Sequence, residues 1–111
     1  MAFYDITPVK LAQAAMTNAY ATVYTTPVGT RTFVKDITIV NTTASPIGIY
    51  VSLVPSGSNA SANNAVFYNN SLPGNTTVEW CGAQIMNGGD TIQIKGSTTG
   101  CTFTASGGEA V

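Results

Sequence analysis

The sequence predicts an all-β fold: a single antiparallel β-sandwich of jelly-roll-like form, preceded by an N-terminal arm. Two observations carry this prediction. Short segments rich in β-branched and aromatic residues recur about every 8–12 residues, separated by turns of Gly, Pro and Asn. Between them no segment has the length of a long helix, which disfavours alternating strands and helices. A chain of 111 residues fits one such domain.

The first part of the chain, residues 1–17, is predicted to be the arm, and residues 18–111 the sandwich. The segment Lys10–Met16 is expected to form one or two helical turns, because Ala, Leu, Gln and Met favour helix. Such a helix is too short to be stable alone. The arm is therefore expected either to return to its own core or to lie on a neighbour. Its candidate interface residues are apolar: Phe3, Tyr4, Ile6, Val9 and Leu11.

Three strands are predicted in the first half of the sandwich, over Thr22–Thr25, Arg31–Asn41 and Ile47–Val54. In the second of them Phe33 and Lys35 are expected on the same face as Ile37 and Ile39. Both of its faces are partly apolar, which suits either a central strand or a strand with a bulge. The third alternates regularly and places Tyr50 opposite its apolar face. Tyr50 is therefore expected to be exposed or in an interface, and it completes the set of candidate site residues.

Four further strands are predicted in the second half, over Ala65–Tyr68, Thr76–Cys81, Thr91–Lys95 and Cys101–Ala105. The stretch Pro55–Asn64 is rich in Ser, Asn, Ala and Gly and is expected to be an exposed, mobile loop. Edge strands of such folds invite pairing with other chains, and this chain has few charges to guard them. The edges are therefore expected to be occupied in an assembly.

The low charge of the chain points the same way. Only 8% of its residues are charged, against about 25% in a typical soluble protein. Either partners cover much of the surface, or Ser, Thr, Asn and Gly supply the polarity instead. The first interpretation is favoured, because a small monomer usually carries more charge to stay soluble.

Nucleic-acid and membrane binding are not expected. Phosphate binding needs clustered basic residues, whereas this sequence has four, Lys10, Arg31, Lys35 and Lys95, far apart along the chain. No apolar stretch approaches the roughly 18 residues of a transmembrane helix. The first residues lack the basic and apolar regions of a signal peptide, so the protein is expected to be made in a cytoplasm.

The sequence offers little for catalysis, and no enzyme, metal or cofactor is predicted. It contains no histidine, which removes the commonest general base and the usual nucleophile triads. Asp36 and Glu79 are the carboxylates that could face one cleft, but both are interpreted as lying on solvated strand faces. The run Gly88–Asp90 is too short for a calcium loop, and Asp90 is interpreted as a turn residue.

The cysteines and aromatic residues each leave two interpretations open. Cys81 and Cys101 match no metal or redox spacing and are expected to be buried free thiols rather than a disulfide. Five aromatic side chains could line a sugar-binding face, but core packing and interface anchoring are favoured for them. They are Tyr20, Tyr24, Tyr50, Tyr68 and Trp80.

Three segments together resemble a known family. Tyr24–Thr43 resembles a signature of the form Tyr-Thr-x-Pro-x-Gly-x-Arg followed by Val-Lys-x-Ile-x-Ile-x-Asn-Thr, which is typical of small virion proteins of tailed bacteriophages. Leu72–Thr76 and Asn87–Ile92 are similar to two turn motifs of the same family. The likeness runs from about Ala21 to the C-terminus. The sequence departs from it in the Pro55–Asn64 loop and in Trp80 and Cys81.

The resemblance implies a non-catalytic β-sandwich on the virion, made in the host bacterial cytoplasm. We expect a capsid decoration (cement) protein that binds the head surface. Its expected partners are further copies of itself, in a homotrimer, and the major capsid protein. The alternative is a tail, baseplate or fibre-associated adaptor that binds tail proteins. A third hypothesis is a carbohydrate-binding module, which would need exposed aromatic residues around Tyr50 or Tyr68.

Overall fold

Alternating apolar residues and closely spaced turns give residues 6–110 of the chain eight β-strands and one short 3₁₀ turn. A computed structural model describes residues 6–110. The strands are β1 (Ile6–Ala15), β2 (Ala21–Thr25), β3 (Arg31–Asn41), β4 (Ile47–Val54), β5 (Ala65–Leu72), β6 (Thr76–Met86), β7 (Thr91–Gly96) and β8 (Cys101–Ala110). Within the described residues no helix is long and apolar enough to span a membrane.

The strands form two four-stranded antiparallel sheets packed face to face. One, the front sheet, has the order β1-β8-β3-β6, and the other, the back sheet, has the order β2-β7-β4-β5. Successive strands alternate between the sheets, except that β4 and β5 pair as a hairpin within the back sheet. The chain thereby winds around the core in the jelly-roll arrangement of two Greek keys. The predicted antiparallel jelly-roll-like sandwich is confirmed.

The core lies between the sheets and consists mainly of β-branched and aromatic side chains. Its fully buried members include Val34, Ile37, Ile39, Ile47, Ile49, Val51, Ile92, Ile94 and Phe103. Each such side chain contributes about 1.5–3 kcal/mol by leaving water. Trp80 and Tyr24 are partly buried against this cluster. For these two aromatic residues the favoured interpretation, core packing, is confirmed.

The helical turns predicted for Lys10–Met16 are wrong, because this segment lies in β1 and at its end. Strand β1 pairs with β8 over its whole length, from Ile6 opposite Ala110 to Ala15 opposite Thr102. Leu11, Ala12 and Met16 enter the core. This pairing and burial outweigh the weak helix propensity of the segment. The arm is expected either to pack on its own core or to lie on a neighbour, and its described part packs on its own core.

A row of β-bulges crosses the front sheet and reverses which residues face the core. The register shifts at Leu11 in β1, at Lys35 in β3 and at Gly82 and Ala83 in β6. In β3 the core side chains are therefore Thr32 and Val34 before the bulge, and Ile37, Ile39 and Asn41 after it. The prediction that Phe33 and Lys35 share a face with Ile37 is wrong for this reason. Strand β3 is both central and bulged, so both of the alternatives left open for it hold.

Strands β5, β6 and β8 run further than predicted, through Asn and Gly residues that usually end strands. In β8, Gly107 lets this strand lie close to β3, because a Cβ there would collide with the backbone carbonyl of Phe33. In β5, Asn69 takes the left-handed conformation, with a φ of 51°. Asn tolerates this conformation better than most residues, so the chain bulges and the strand continues.

The turns at the two ends of the sandwich are fastened by one polar residue each. At one end the fully buried Asn41 bridges the β3–β4 and β5–β6 turns through its amide. At the other, the carboxylate of Asp90 accepts the backbone N–H groups of Asn87 and Ser56, at 2.9 and 3.0 Å. The interpretation of Asp90 as a turn residue is confirmed. The latter end carries the β2–β3, β4–β5 and β6–β7 connections and is called the Asp90 end below.

The loop over Pro55–Asn64 closes with a 3₁₀ turn, Ala62–Asn64, which Ser61 caps. Both cysteines are free, as expected, but only Cys101 is buried. Cys81 is exposed because it points outwards from β6, opposite Asp36. The prediction of two buried thiols is therefore wrong for Cys81.

Candidate functional site

The outer face of the front sheet is divided by the bulge row into a polar part and an apolar part. The polar part carries Lys10, Gln13, Asp36, Thr38, Glu79, Thr104 and Ser106. Asp36 and Glu79 thus lie on an outer strand face rather than in a cleft. Within residues 6–110 no group of three or more Cys, Asp or Glu side chains is arranged to hold a metal ion.

The apolar part lies between the bulge row and the Asp90 end and is called the end patch. Cross-strand pairing aligns Pro8, Gly108, Phe33 and Ile85 across all four strands of the front sheet. The Ile6 side chain lies over Gly108, where a Cβ would contact its Cγ2 atom. Ile6 and Ile85 are each 60% exposed. A contiguous apolar face of this kind marks an interaction site more often than scattered apolar residues do.

A cavity adjoins the end patch. It has a volume of about 470 Å³ and is lined by Ile6, Arg31, Phe33, Asn87, Gly88 and Ala110. At the same end, Val28 projects from the tip of the β2–β3 turn and is 94% exposed. A complementary protein surface can receive Val28 in a pocket and insert a side chain into this cavity. The anchoring side chains of protein interfaces fill packed pockets in this way.

A second surface, on the outer face of the back sheet, is built from three tyrosines and one lysine. It is called the tyrosine surface and consists of Tyr20, Tyr50, Tyr68 and Lys95. The Tyr50 ring meets the other two rings edge to face, with centroid distances of 6.1 Å to Tyr20 and 5.3 Å to Tyr68. This geometry is the one aromatic pairs prefer. Burial, with a smaller contribution from the nearby Tyr68, raises the pKa of Tyr20 above its usual value.

Lys95 lies opposite Tyr50 on the neighbouring strand β7. Its Nζ atom is 4.4 Å from the Tyr50 ring centroid and 5.0 Å from the Tyr20 ring centroid. Both distances are within the range of cation–π attraction. Three side chains from β4, β5 and β7 and one from the residue that precedes β2, Tyr20, thereby contact one another.

The candidate residues from the sequence fall in different places. Phe3 and Tyr4 lie outside the described residues. Ile6 belongs to the end patch, whereas Leu11 is buried in the chain's own core and Val9 is partly buried against it. The structure therefore assigns the Leu11 side chain to folding and not to an exposed interface. Tyr50 points outwards, as its strand pattern predicts, and is half-buried under its two neighbouring tyrosines.

Several residues of these surfaces are not predicted from the sequence. Phe33 was expected to face the core with Ile37, and only the bulge at Lys35 turns it outwards. Ile85 was not predicted to lie in a strand. The signal available for the bulge was the pair of consecutive charged residues, Lys35 and Asp36, inside an otherwise apolar strand.

No protein-family model and no curated protein sequence matches this chain. Its fold is similar to part of a chain in the structure of the infectious bursal disease virus Gx strain. The TM-score is 0.52 and the identity 13%, over 98% of this chain and 33% of that one. The T=1 particles derived from infectious bursal virus give a TM-score of 0.52 and 14% identity, over 96% and 31%.

This chain therefore spans about a third of the chains it matches. At these identities the likeness shows a common fold, a jelly-roll sandwich that also occurs in chains of a virus particle.

Proposed function

We propose that this chain is a non-enzymatic structural component of a virus particle, namely a capsid decoration protein on the head of a tailed bacteriophage. The observation that carries the proposal is the strand order, which winds the described chain into one complete jelly roll. Viral capsid proteins are prominent among the proteins that use this arrangement, as are lectins and cupins. The similarity of the fold to part of a chain in a virus structure supports the first of these three.

The end patch supports a role in assembly. A chain with 8% charged residues that also exposes Ile6, Ile85 and Val28 at one end has a poor surface for a free monomer. Covering the patch with protein would remove these side chains from water at about 25 cal/mol per Å² of apolar area. The proposed partners are further copies of this chain, as a homotrimer, and the major capsid protein beneath.

The position of the end patch fits a protein that stands on a surface. All of its residues lie at one end of the sandwich, where both chain termini of the described part, Ile6 and Ala110, also lie. This arrangement supports the proposal that Phe3, Tyr4 and Ile6 belong to one interface.

A tail, baseplate or fibre-associated adaptor is the second candidate. The observation that favours it is the loop Pro55–Asn64, which is tied to the Asp90 end through the Ser56 N–H. In an adaptor this loop and the end patch would contact the same tail protein. Both candidates place the chain in the virion, and both use the end patch.

The proposal predicts that Ile85→Ser weakens assembly without unfolding the chain. Ile85 is exposed, so its replacement costs little stability, whereas loss of an apolar anchor in an interface usually costs at least about 1–2 kcal/mol, a loss of about tenfold in affinity. The measurement is co-sedimentation of the variant with phage particles that lack this protein. Sedimentation velocity on the free variant gives its self-association.

Tyr68→Ala is the matched control, because Tyr68 is 55% exposed but lies on the other sheet. It should bind particles like the unchanged chain. Equal binding by the Ile85→Ser variant, or equal weakening by Tyr68→Ala, would contradict the assignment of the end patch as the assembly surface.

A further inference from the structure

We infer that the tyrosine surface is a saccharide-binding site, separate from the surface that the chain uses for assembly. A pyranose ring would stack its C–H face on the exposed ring of Tyr68. Asn69, next to Tyr68, and Lys95, on the far side of the Tyr50 ring, would hydrogen-bond to oxygens of neighbouring sugar units. The occupant is a glycan, with acidic saccharides favoured over neutral ones.

The backbone around Tyr68 is shaped to present this ring. Strand β5 bulges against β4, so that Tyr68 and Asn69 both lie in the stretch between Phe67, which pairs with Val51, and Asn70, which pairs with Ile49. Bulges of this kind re-aim side chains and are over-represented beside functional sites. The left-handed conformation of Asn69 is part of the bulge.

Gly48 makes room for the amide of Asn69. A Cβ on Gly48 would overlap the Oδ1 atom of Asn69, so the glycine leaves space for the amide to lie against β4. The Tyr68 N–H is bound by the Oδ1 atom of Asn70 at 3.2 Å, which fixes the start of the bulge. An uncommon backbone conformation thus places Tyr68 and Asn69 side by side, and Gly48 leaves space for the Asn69 amide.

The rings are fixed before any ligand arrives. Tyr50 is half-buried between Tyr20 and Tyr68, and Lys95 lies over the Tyr50 and Tyr20 rings. Ordering a side chain on binding costs about 0.5–1.5 kcal/mol, and this packing lowers that cost in advance. The outermost ring, Tyr68, keeps more than half of its surface open.

The polar groups favour a sugar over a protein partner. Within residues 6–110 the Lys95 ammonium contacts ring faces and makes no hydrogen bond or salt bridge, so its three N–H donors remain for a ligand. Protein interfaces are depleted in Lys, whereas a saccharide presents many hydroxyl acceptors. Lys95 is also the one charged side chain on this face among the described residues. Its charge favours a saccharide that carries a carboxylate.

The test is binding of the labelled full chain to an array of defined neutral and acidic oligosaccharides. We expect binding to a subset of them, stronger for acidic members. Affinity should fall at least tenfold in Tyr68→Ala and in Lys95→Met. Tyr68→Phe, which keeps the ring, should bind like the unchanged chain, and so should Ile85→Ser, which alters only the end patch. Unaltered thermal unfolding of each variant shows that the fold is intact.

Three results would overturn the inference. They are an array without any bound oligosaccharide, binding that survives Tyr68→Ala, and a loss of particle binding in Tyr68→Ala. The last would make the tyrosine surface a protein interface. The array result depends on Tyr68 and Lys95 and the assembly result on Ile85, so an array without bound oligosaccharide leaves the assembly proposal standing.

Discussion

Replacing Val51 with Asp is expected to prevent the chain from folding. Val51 is 0% exposed, lies in the central part of β4, and pairs with Ile94 on one side and Phe67 on the other. A carboxylate there would have no partner, and burying an unpaired charge costs several kcal/mol even after relaxation. That cost is comparable to the 5–15 kcal/mol that stabilises a typical domain.

Far-ultraviolet circular dichroism and urea unfolding measure this effect. The Val51→Asp chain should lack the β-sheet spectrum and a cooperative transition. Thr102→Asp is the control, because Thr102 lies in the central strand β8 with its side chain exposed. It should unfold within about 0.5 kcal/mol of the unchanged chain, as surface substitutions usually do. A Val51→Asp chain with an unaltered transition would contradict the strand faces described here.

Replacing Asn41 with Ala is expected to lower the free energy of unfolding by about 3 kcal/mol or more. The Nδ2 atom of this fully buried residue donates to the carbonyl oxygens of Ser45, Leu72 and Pro73, at 2.8, 3.0 and 3.2 Å. Its Oδ1 atom accepts from the N–H and the hydroxyl of Thr43, at 3.0 and 2.7 Å. Each buried group left without a partner costs about 1–3 kcal/mol.

Urea unfolding of Asn41→Ala gives this change directly from the midpoint, provided that the slope is unaltered. Asn63→Ala is the matched control, because Asn63 is exposed and only its backbone N–H is bound, by the Ser61 Oγ atom. It should unfold like the unchanged chain. A loss below about 1 kcal/mol in Asn41→Ala would show that this amide does not fasten the two turns.

The bounds of strands that lie between clear turns could be predicted from the sequence, whereas the bulges within strands could not. The bounds of β3 and β4 agree with the prediction, because apolar residues recur along both strands between turns rich in Gly, Pro, Asn and Ser. Strand β1 was mistaken for helical turns, since its Ala, Leu and Gln residues favour helix locally and only pairing with β8 makes them a strand. Long-range pairing of this kind leaves no local signal.

The same limit applies to the two surfaces. The outward direction of Tyr50 follows from alternation in β4, but its contact with Tyr68 depends on the bulge in β5. Ile6 was a candidate, whereas Phe33 was assigned to the wrong face because one extra residue, Lys35, reverses the pattern. Sequence periodicity predicted the strands other than β1, whereas irregularities of the backbone determine the two surfaces.

The most direct test of the proposed place in a bacteriophage virion is electron microscopy of the particles, labelled with gold-bound antibody against this chain. The proposal predicts label distributed over the head surface. Label confined to the tail would contradict capsid decoration and favour the adaptor, and particles without label would contradict a structural role in the virion.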